Sequence, residues 1–280
     1  VLSIGAELVL CDINNRDFSI CLDSLKKLIV KHTNIDAIIL VYPLGWAYDT
    51  KEIYNLANEN KIQIIEDAAG AIGSKFNQNL VGSHGKIVTF SFNGNKILTC
   101  GGGGIVLTDQ EEIADKLKLL RTNSVGSYNY SIPGYNHQML NISAAVGCVQ
   151  LKRLNTMIKK RQNVMSRYLQ EISKSKKDYK FFLGSKNSLY NGWLNAMIFK
   201  EKSLINDLIS YAEKFKIQMR SFWPALSETP AFKYLDTEDL INSKKISRKI
   251  LTIPSSSTLK KNDQYKVISV INNWLQDRLF

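Results

Sequence analysis

Cysteine, histidine and acidic residues are all scarce in this chain, and each shortage removes a class of explanation. The four cysteines (Cys11, Cys21, Cys100, Cys148) are scattered, with no CxxC pair. That spacing excludes a zinc ribbon or a disulfide framework and fits small core residues in a reducing, cytoplasmic setting. The three histidines, His32, His84 and His137, show no metal-ligand spacing, so no metal centre is expected. Hydrophobic residues make up 44% of the 280 positions, yet no apolar run is long enough to span a bilayer, and no membrane partner is expected. The length suffices for one large core or two modest ones.

Acidic residues number 25 against 37 Lys and Arg, a formal charge of +12. Much of the excess lies between Lys152 and Lys180. No interleaved stacking aromatics or docking motif accompany it, so a nucleic-acid partner is not expected. The stretch reads as a solvated helix face, and its field suits an anionic small molecule such as a sugar nucleotide. Two glycine signatures are missing as well, GxxxxGK[ST] and GxGxxG between strand and helix. Their absence argues against a nucleotide hydrolase and a dinucleotide dehydrogenase.

What is present is an alternation of strands and helices. Leu8–Asp12 reads as a strand, residues 22–31 as a helix, and Asp36–Tyr42 as a strand buried on both faces. Asp49 with Glu52 reads as a capping box opening a helix that ends near Asn60, and Ile62–Glu66 is the next strand. Ile87–Phe92 and Gly103–Thr108 follow as strands, then a helix at Asp109–Leu120 and a Gly, Ser, Tyr and Asn-rich loop to Asn136. A long helical region runs from Ile142 to about Lys176, with a break near Asn155. Beyond it come a strand at Trp193–Phe199, a helix at Leu204–Lys216, a strand at Ile217–Arg220 and a last helix at Asp263–Leu279. The expected class is α/β, a mostly parallel sheet with a smaller C-terminal α+β domain. A boundary near residue 155 divides 1–155 from 156–280. Because Val1 leads almost directly into a strand, the start reads as the inside of a domain, with part of it upstream.

Parallel sheets bind ligands beyond the carboxyl ends of their strands. Asp67 stands at such an end, after Ile62–Glu66. Lys96 follows the apolar strand that contains Ser91, and Gly101–Gly104 comes next. Together these supply an acid for a ring nitrogen, an amine for an imine, and pliant backbone beside a flat ligand. Pyridoxal 5'-phosphate needs those parts from a protein. Strand alternation turns Glu66 away from Asp67, and Ser91 is placed to hold a phosphate oxygen. Taken one at a time, each has a plainer explanation: a solvated lysine, an aspartate cap, a core hydroxyl, a glycine turn.

Glu66-Asp67-Ala68-Ala69, Val81-Gly82-Ser83, Phe90-Ser91-Phe92 leading to Lys96, the glycine run, Gly134-Tyr135-Asn136, Ala144-Ala145 and Gln150-Leu151 occur in a set order. In that order the chain resembles the DegT/DnrJ/StrS family of sugar aminotransferases, which have the type I aminotransferase fold. Ser91–Lys96, Gly101–Gly104, Trp193-Leu194-Asn195 and Ile253-Pro254-Ser255-Ser256 look most like its LegC-type branch, whose members aminate nucleotide-linked 4-keto-6-deoxy-N-acetylhexosamines.

The resemblance implies that Lys96 condenses with the cofactor and moves the proton, that Asp67 pairs with the pyridinium, and that Ser91 holds the phosphate. It implies that Asn136 reaches the partner's cofactor across a homodimer interface, and that Arg220, Trp193 and Asn195 line the substrate site. The implied substrates are a nucleotide sugar and an amino-acid donor, glutamate. Alternatives are a catalytically inactive, truncated homologue and a sugar dehydratase using the same cofactor; the dehydratases tend to replace the lysine that is present here. The chain departs from the family pattern at Gly70, where a glutamine is usual, at His137-Gln138, and at Ser227. The family's glycine-Ser/Thr phosphate turn and its ring-stacking aromatic are expected upstream of Val1.

Overall fold

The computed structural model describes residues 1–122, 132–172, 178–235 and 240–277. In chain order, helix α1 (Leu22–Lys31) leads to strand β1 (Ala37–Val41), α2 (Lys51–Glu59) and β2 (Gln63–Asp67). A short hairpin, β3 (Lys75–Phe76) and β4 (Asn79–Leu80), precedes β5 (Ile87–Ser91) and β6 (Gly104–Leu107). Helices α3 (Glu111–Thr122), α4 (Asn141–Lys152) and α5 (Leu154–Glu171) follow. The remainder comprises β7 (Tyr179–Phe181), β8 (Ser188–Leu189), β9 (Asn195–Phe199), α6 (Lys202–Glu213), β10 (Arg220–Ser221), α7 (Ile241–Ser247), β11 (Ile250–Ile253) and α8 (Lys261–Asp277). The loop at 123–131, the reach of the helical region to Lys176 and the end of the last helix at Leu279 lie outside the described residues.

The first sheet has the order β1-β2-β5-β6. Its first three strands are parallel and β6 runs antiparallel beside β5. Ile38, Leu40, Ile64 and Val88 bury one face with Leu25 of α1 and Ile53 and Ala57 of α2. Ile53 and Ala57 are four residues apart, so both fall on one side of α2 and seal that face. The unbroken apolar run of β1 predicts burial on both faces. Instead the strand alternates, with Ile39 and Val41 45% and 46% exposed, because the described helices cover only one side.

The second sheet, β10-β11-β9-β7, is antiparallel. Strand β9 is buried at every position, as a central strand covered on both faces must be. On one side Met197 and Phe199 pack with Tyr168 of α5, Ile205 and Leu208 of α6, and Ile271 and Trp274 of α8. On the other, Ala196 and Ile198 meet Trp46, Phe182 and Tyr190. The two parts of the chain interlock, since β3 pairs with β8 and Ile158 of α5 packs with Ile97 and Trp193.

Several local expectations change. Leu8–Asp12 forms no strand: the Asp12 N–H is taken by Ser24 Oγ at 3.1 Å, and its carboxyl oxygens accept the N–H groups of Asn242 and Ser243 at the start of α7. Asp12 is therefore a cap supplied from far away in sequence. The capping box at Asp49 and Glu52 is absent as well. Thr50 is the N-cap of α2 without a side-chain bond, while Asp49 Oδ1 accepts the Lys51 N–H at 3.0 Å. The extended stretch before Arg220 shortens to β10, and the long helical region breaks at Arg153.

Candidate active site

Strand β2 ends at Asp67, in register with Val41 of β1 and Thr89 of β5. Alternation sends its last two acids in opposite directions. Glu66 is only 2% exposed and accepts hydrogen bonds from Tyr42 Oη, at 2.9 Å, and from Tyr54 Oη. Burial, reinforced by the neighbouring Glu66, pushes both tyrosine hydroxyls far above their ordinary range. This network anchors the end of β2 from beneath. Glu66→Ala leaves the buried Tyr42 hydroxyl and the half-buried Tyr54 hydroxyl without their acceptor and is expected to cost roughly 3 kcal/mol, read as a lower urea midpoint with an unchanged slope.

Asp67 turns to the opposite face, half-buried, and its Oδ1 accepts the Ala69 N–H at 3.0 Å. Lys96 lies in the turn after β5. Its own N–H bonds Asn93 O at 3.1 Å, Cys100 N–H closes the turn on Phe92 O at 2.9 Å, and the next residues, Ile97 and Leu98, are buried. Those two apolar anchors fix where the half-buried lysine can stand. Its Nζ sits 3.9 Å from the centroid of the Trp193 ring. Burial holds the Lys96 amine below the ordinary lysine range, and the charge of Asp67 opposes that shift. Acid and amine therefore lie within electrostatic reach of each other at the carboxyl ends of adjacent parallel strands.

Ser91 ends β5, and its Oγ accepts the Asn93 N–H at 3.3 Å. The glycine run has two separate reasons. Gly101 and Gly103 take φ values of +85° and +80°, and a Cβ on Gly104 would come within 2.5 Å of Phe90 O.

Trp193 is buried. Its indole N–H donates to Asn95 O at 2.9 Å, and its backbone N–H donates to Asn191 Oδ1 at 3.0 Å. Asn195, on β9 opposite Ile253, is 1% exposed. Its Oδ1 accepts from Tyr190 Oη at 3.5 Å, and its Nδ2 has no hydrogen-bond partner among the described residues. Arg220 is exposed on β10, and Asn136 is exposed between Tyr135 and His137, whose N–H groups bond Leu120 O and Arg121 O. Neither has a hydrogen bond to Lys96 or Asp67 among the described residues. The structure thus gathers Lys96, Asp67 and Trp193, with Ser91 at the adjoining strand end. Gly70 and Asn191 join this group without having been singled out as site residues by sequence reasoning; the unusual glycine at position 70 was the available signal.

Over residues 1–272 the sequence matches the DegT/DnrJ/EryC1/StrS aminotransferase family. The chain belongs to this family. GDP-perosamine synthase of Vibrio cholerae is 27% identical to it over 280 residues, covering 98% of this chain and 75% of that protein. The spore coat polysaccharide biosynthesis protein SpsC of Bacillus subtilis is 34% identical over 181 residues, 60% of this chain and 46% of that one. Among solved structures, a DegT/DnrJ/EryC1/StrS aminotransferase from Brucella abortus superimposes with a TM-score of 0.87 at 25% identity, covering 98% of this chain and 75% of that one. The PLP form of the putative sugar aminotransferase Spr1654 from Streptococcus pneumoniae shares the fold, with a TM-score of 0.90 at 21% identity and coverage of 99% and 77%.

This family member is a sugar aminotransferase that uses pyridoxal 5'-phosphate, and its architecture is the type I aminotransferase fold. The residues fit that cofactor: an amine kept partly out of water, a carboxyl within reach of it, and a strand-end hydroxyl beside a glycine run. No described helix is long and apolar enough to cross a membrane, and no cluster of metal-ligating side chains occurs among the described residues.

The depressed Lys96 amine has a consequence for stability. Between its folded value and the unfolded value of about 10.4, the unfolded chain binds more protons, so stability rises with pH through that window. Below the window the folded state carries a cation that it disfavours. The cofactor-free Lys96→Met protein is therefore expected to melt above wild type at pH 7, the gap narrowing as pH approaches about 10.4. Thermal scans across that range test the sign, and a gap that widens with pH would refute it.

Proposed function

We propose that this enzyme moves an amino group from glutamate to the 4-keto carbon of a nucleotide-linked 4-keto-6-deoxy (N-acetylamino) sugar, for surface-glycan synthesis. The observation that carries the reading is the half-buried Lys96 amine within electrostatic reach of Asp67, near the carboxyl ends of parallel strands. A relative named for GDP-perosamine synthesis and another named for spore coat polysaccharide support a sugar acceptor bearing a nucleotide. The excess of 37 basic over 25 acidic residues favours such an anion electrostatically.

In this reading Lys96 fixes the cofactor and carries the proton to and from the reacting carbon. Asp67 holds the proton on the ring nitrogen, and Ser91 donates its hydroxyl to the phosphate. When bound, the cofactor would supply an electron sink for the reaction. Asn136, exposed beside the turn at Gly134-Tyr135, is proposed to complete the neighbouring subunit's site in a homodimer. Arg220 and Asn195 are proposed substrate contacts, the guanidinium for the diphosphate. The proposed domains are 1–155 and 156–280, and a cytoplasmic setting fits the free thiols.

The test is a purified sample loaded with cofactor. It should be yellow, lose its colour to borohydride with the label on Lys96, and aminate a keto-sugar nucleotide when glutamate is supplied. A protein that stays colourless in excess cofactor would end the proposal. Light scattering addresses the assembly, and a strictly monomeric, fully active enzyme would remove the role given to Asn136.

A further inference from the structure

We infer that Gly70 and Trp193 form an interlocked pair that positions the Lys96 amine, Trp193 as the floor beneath it and Gly70 as the gap that admits the ring. The inference rests on the assignment of Lys96 as the cofactor-binding lysine. It gives Trp193 a positioning role instead of a wall facing the sugar.

Gly70 has no conformational need to be glycine, since its φ lies outside the left-handed region. Its reason is steric. A Cβ there would lie 2.2 Å from Trp193 Cε3 and 2.3 Å from Cζ3, so any side chain at position 70 would push the indole out. The indole is also fixed from other directions. Its N–H donates to Asn95 O at 2.9 Å, one residue before Lys96. The Trp193 backbone carbonyl accepts from Arg161 Nη1 at 3.1 Å and from Ser255 Oγ at 2.8 Å.

Asn191 completes the clamp. Its amide nitrogen donates to Gly70 O at 2.8 Å and Ile72 O at 3.0 Å, and its oxygen accepts the Trp193 N–H at 3.0 Å. One continuous unit thus ties the segment just after Asp67, through Gly70, Asn191 and Trp193, to the turn that bears Lys96. A lysine side chain is a flexible stem ending in a compact charge. Here that charge lies 3.9 Å above an aromatic face, which attracts it. A reacting group displaced by about 1 Å can lose roughly a hundredfold in rate, so a rigid floor under the nitrogen has catalytic value.

The test compares Trp193→Leu, Trp193→Phe, Gly70→Ala and the Gly70→Ala/Trp193→Leu double variant. In cofactor-free protein with isotope-labelled lysine, the Lys96 ε-methylene signal is expected upfield from the indole ring current and should return to ordinary lysine positions in Trp193→Leu and Gly70→Ala. In loaded enzyme, Trp193→Leu should lower kcat about tenfold or more while KM for the keto sugar stays within about twofold. Trp193→Phe, which keeps an aromatic face, should recover most of the rate. Gly70→Ala should resemble Trp193→Leu, and the double variant should be no worse than Trp193→Leu, because both changes remove the same contact.

Unshifted Lys96 methylene signals in wild type, additive losses in the double variant, or a higher KM with kcat unchanged would each overturn the pair's role. Wild type showing the ring-current shift but no borohydride label on Lys96 would instead strike the lysine assignment itself. If the leucine variant fails to fold, Gly70→Ala and Trp193→Phe carry the same comparison.

Discussion

Lys96→Ala is expected to abolish amine transfer, by about a thousandfold or more, while the protein stays folded. The lysine sits in a turn held by Asn93, Phe92 and Cys100 backbone groups, and the buried Ile97 and Leu98 anchor that turn without it. Removing the amine therefore spares the scaffold. What is lost is both the attachment point and the group assigned to carry the proton. A loss of about 4 kcal/mol in transition-state stabilisation corresponds to that thousandfold. Steady-state amine transfer, circular dichroism and borohydride labelling check it together. Substantial residual turnover in a folded, unlabelled variant would show that another group does the work.

Asp67→Asn is expected to lower kcat roughly a hundredfold or more, comparable to removing a preorganised electrostatic group from a reacting centre. An amide matches the carboxyl in shape but cannot hold a proton on a ring nitrogen by charge. The amide oxygen of the variant can still accept the Ala69 N–H that Asp67 takes at 3.0 Å, so the turn should persist. The variant should bind the cofactor more weakly and show a changed pH dependence of its visible band. Near-normal kcat with a normal spectrum would sink the assignment. Glu66→Ala provides the contrast, since its effect falls on unfolding through the Tyr42 and Tyr54 hydroxyls.

The parallel core was legible because strand and helix periodicity are local. Ile64 and Glu66 alternate with Ile65 and Asp67, and that alternation predicts which acid faces the ligand. Caps were less legible. Asp49 and Glu52 match a capping pattern, but Asp49 accepts from Lys51, two residues on, and Thr50 takes the cap position. The cap that α7 does receive comes from Asp12, 230 positions away from Asn242. No local rule finds a partner at that separation. Burial of β1 was overestimated for a related reason: an apolar run states a preference, and neighbouring elements decide whether it is met.

The sequence by itself determined the chemistry on offer: an acid ending an apolar strand, a serine on the next with a lysine just after it, and glycines to follow. These are consequences of residue type and spacing along one short stretch. Only the tertiary structure decided what stands around the amine. Trp193 and Asn191 come from a segment about a hundred residues beyond Lys96, and they meet Gly70 through a hydrogen bond from Asn191 to its carbonyl and the close approach of the Trp193 ring. Which side chain fills a gap left by a missing one depends on distance in space, and composition and periodicity carry no record of that.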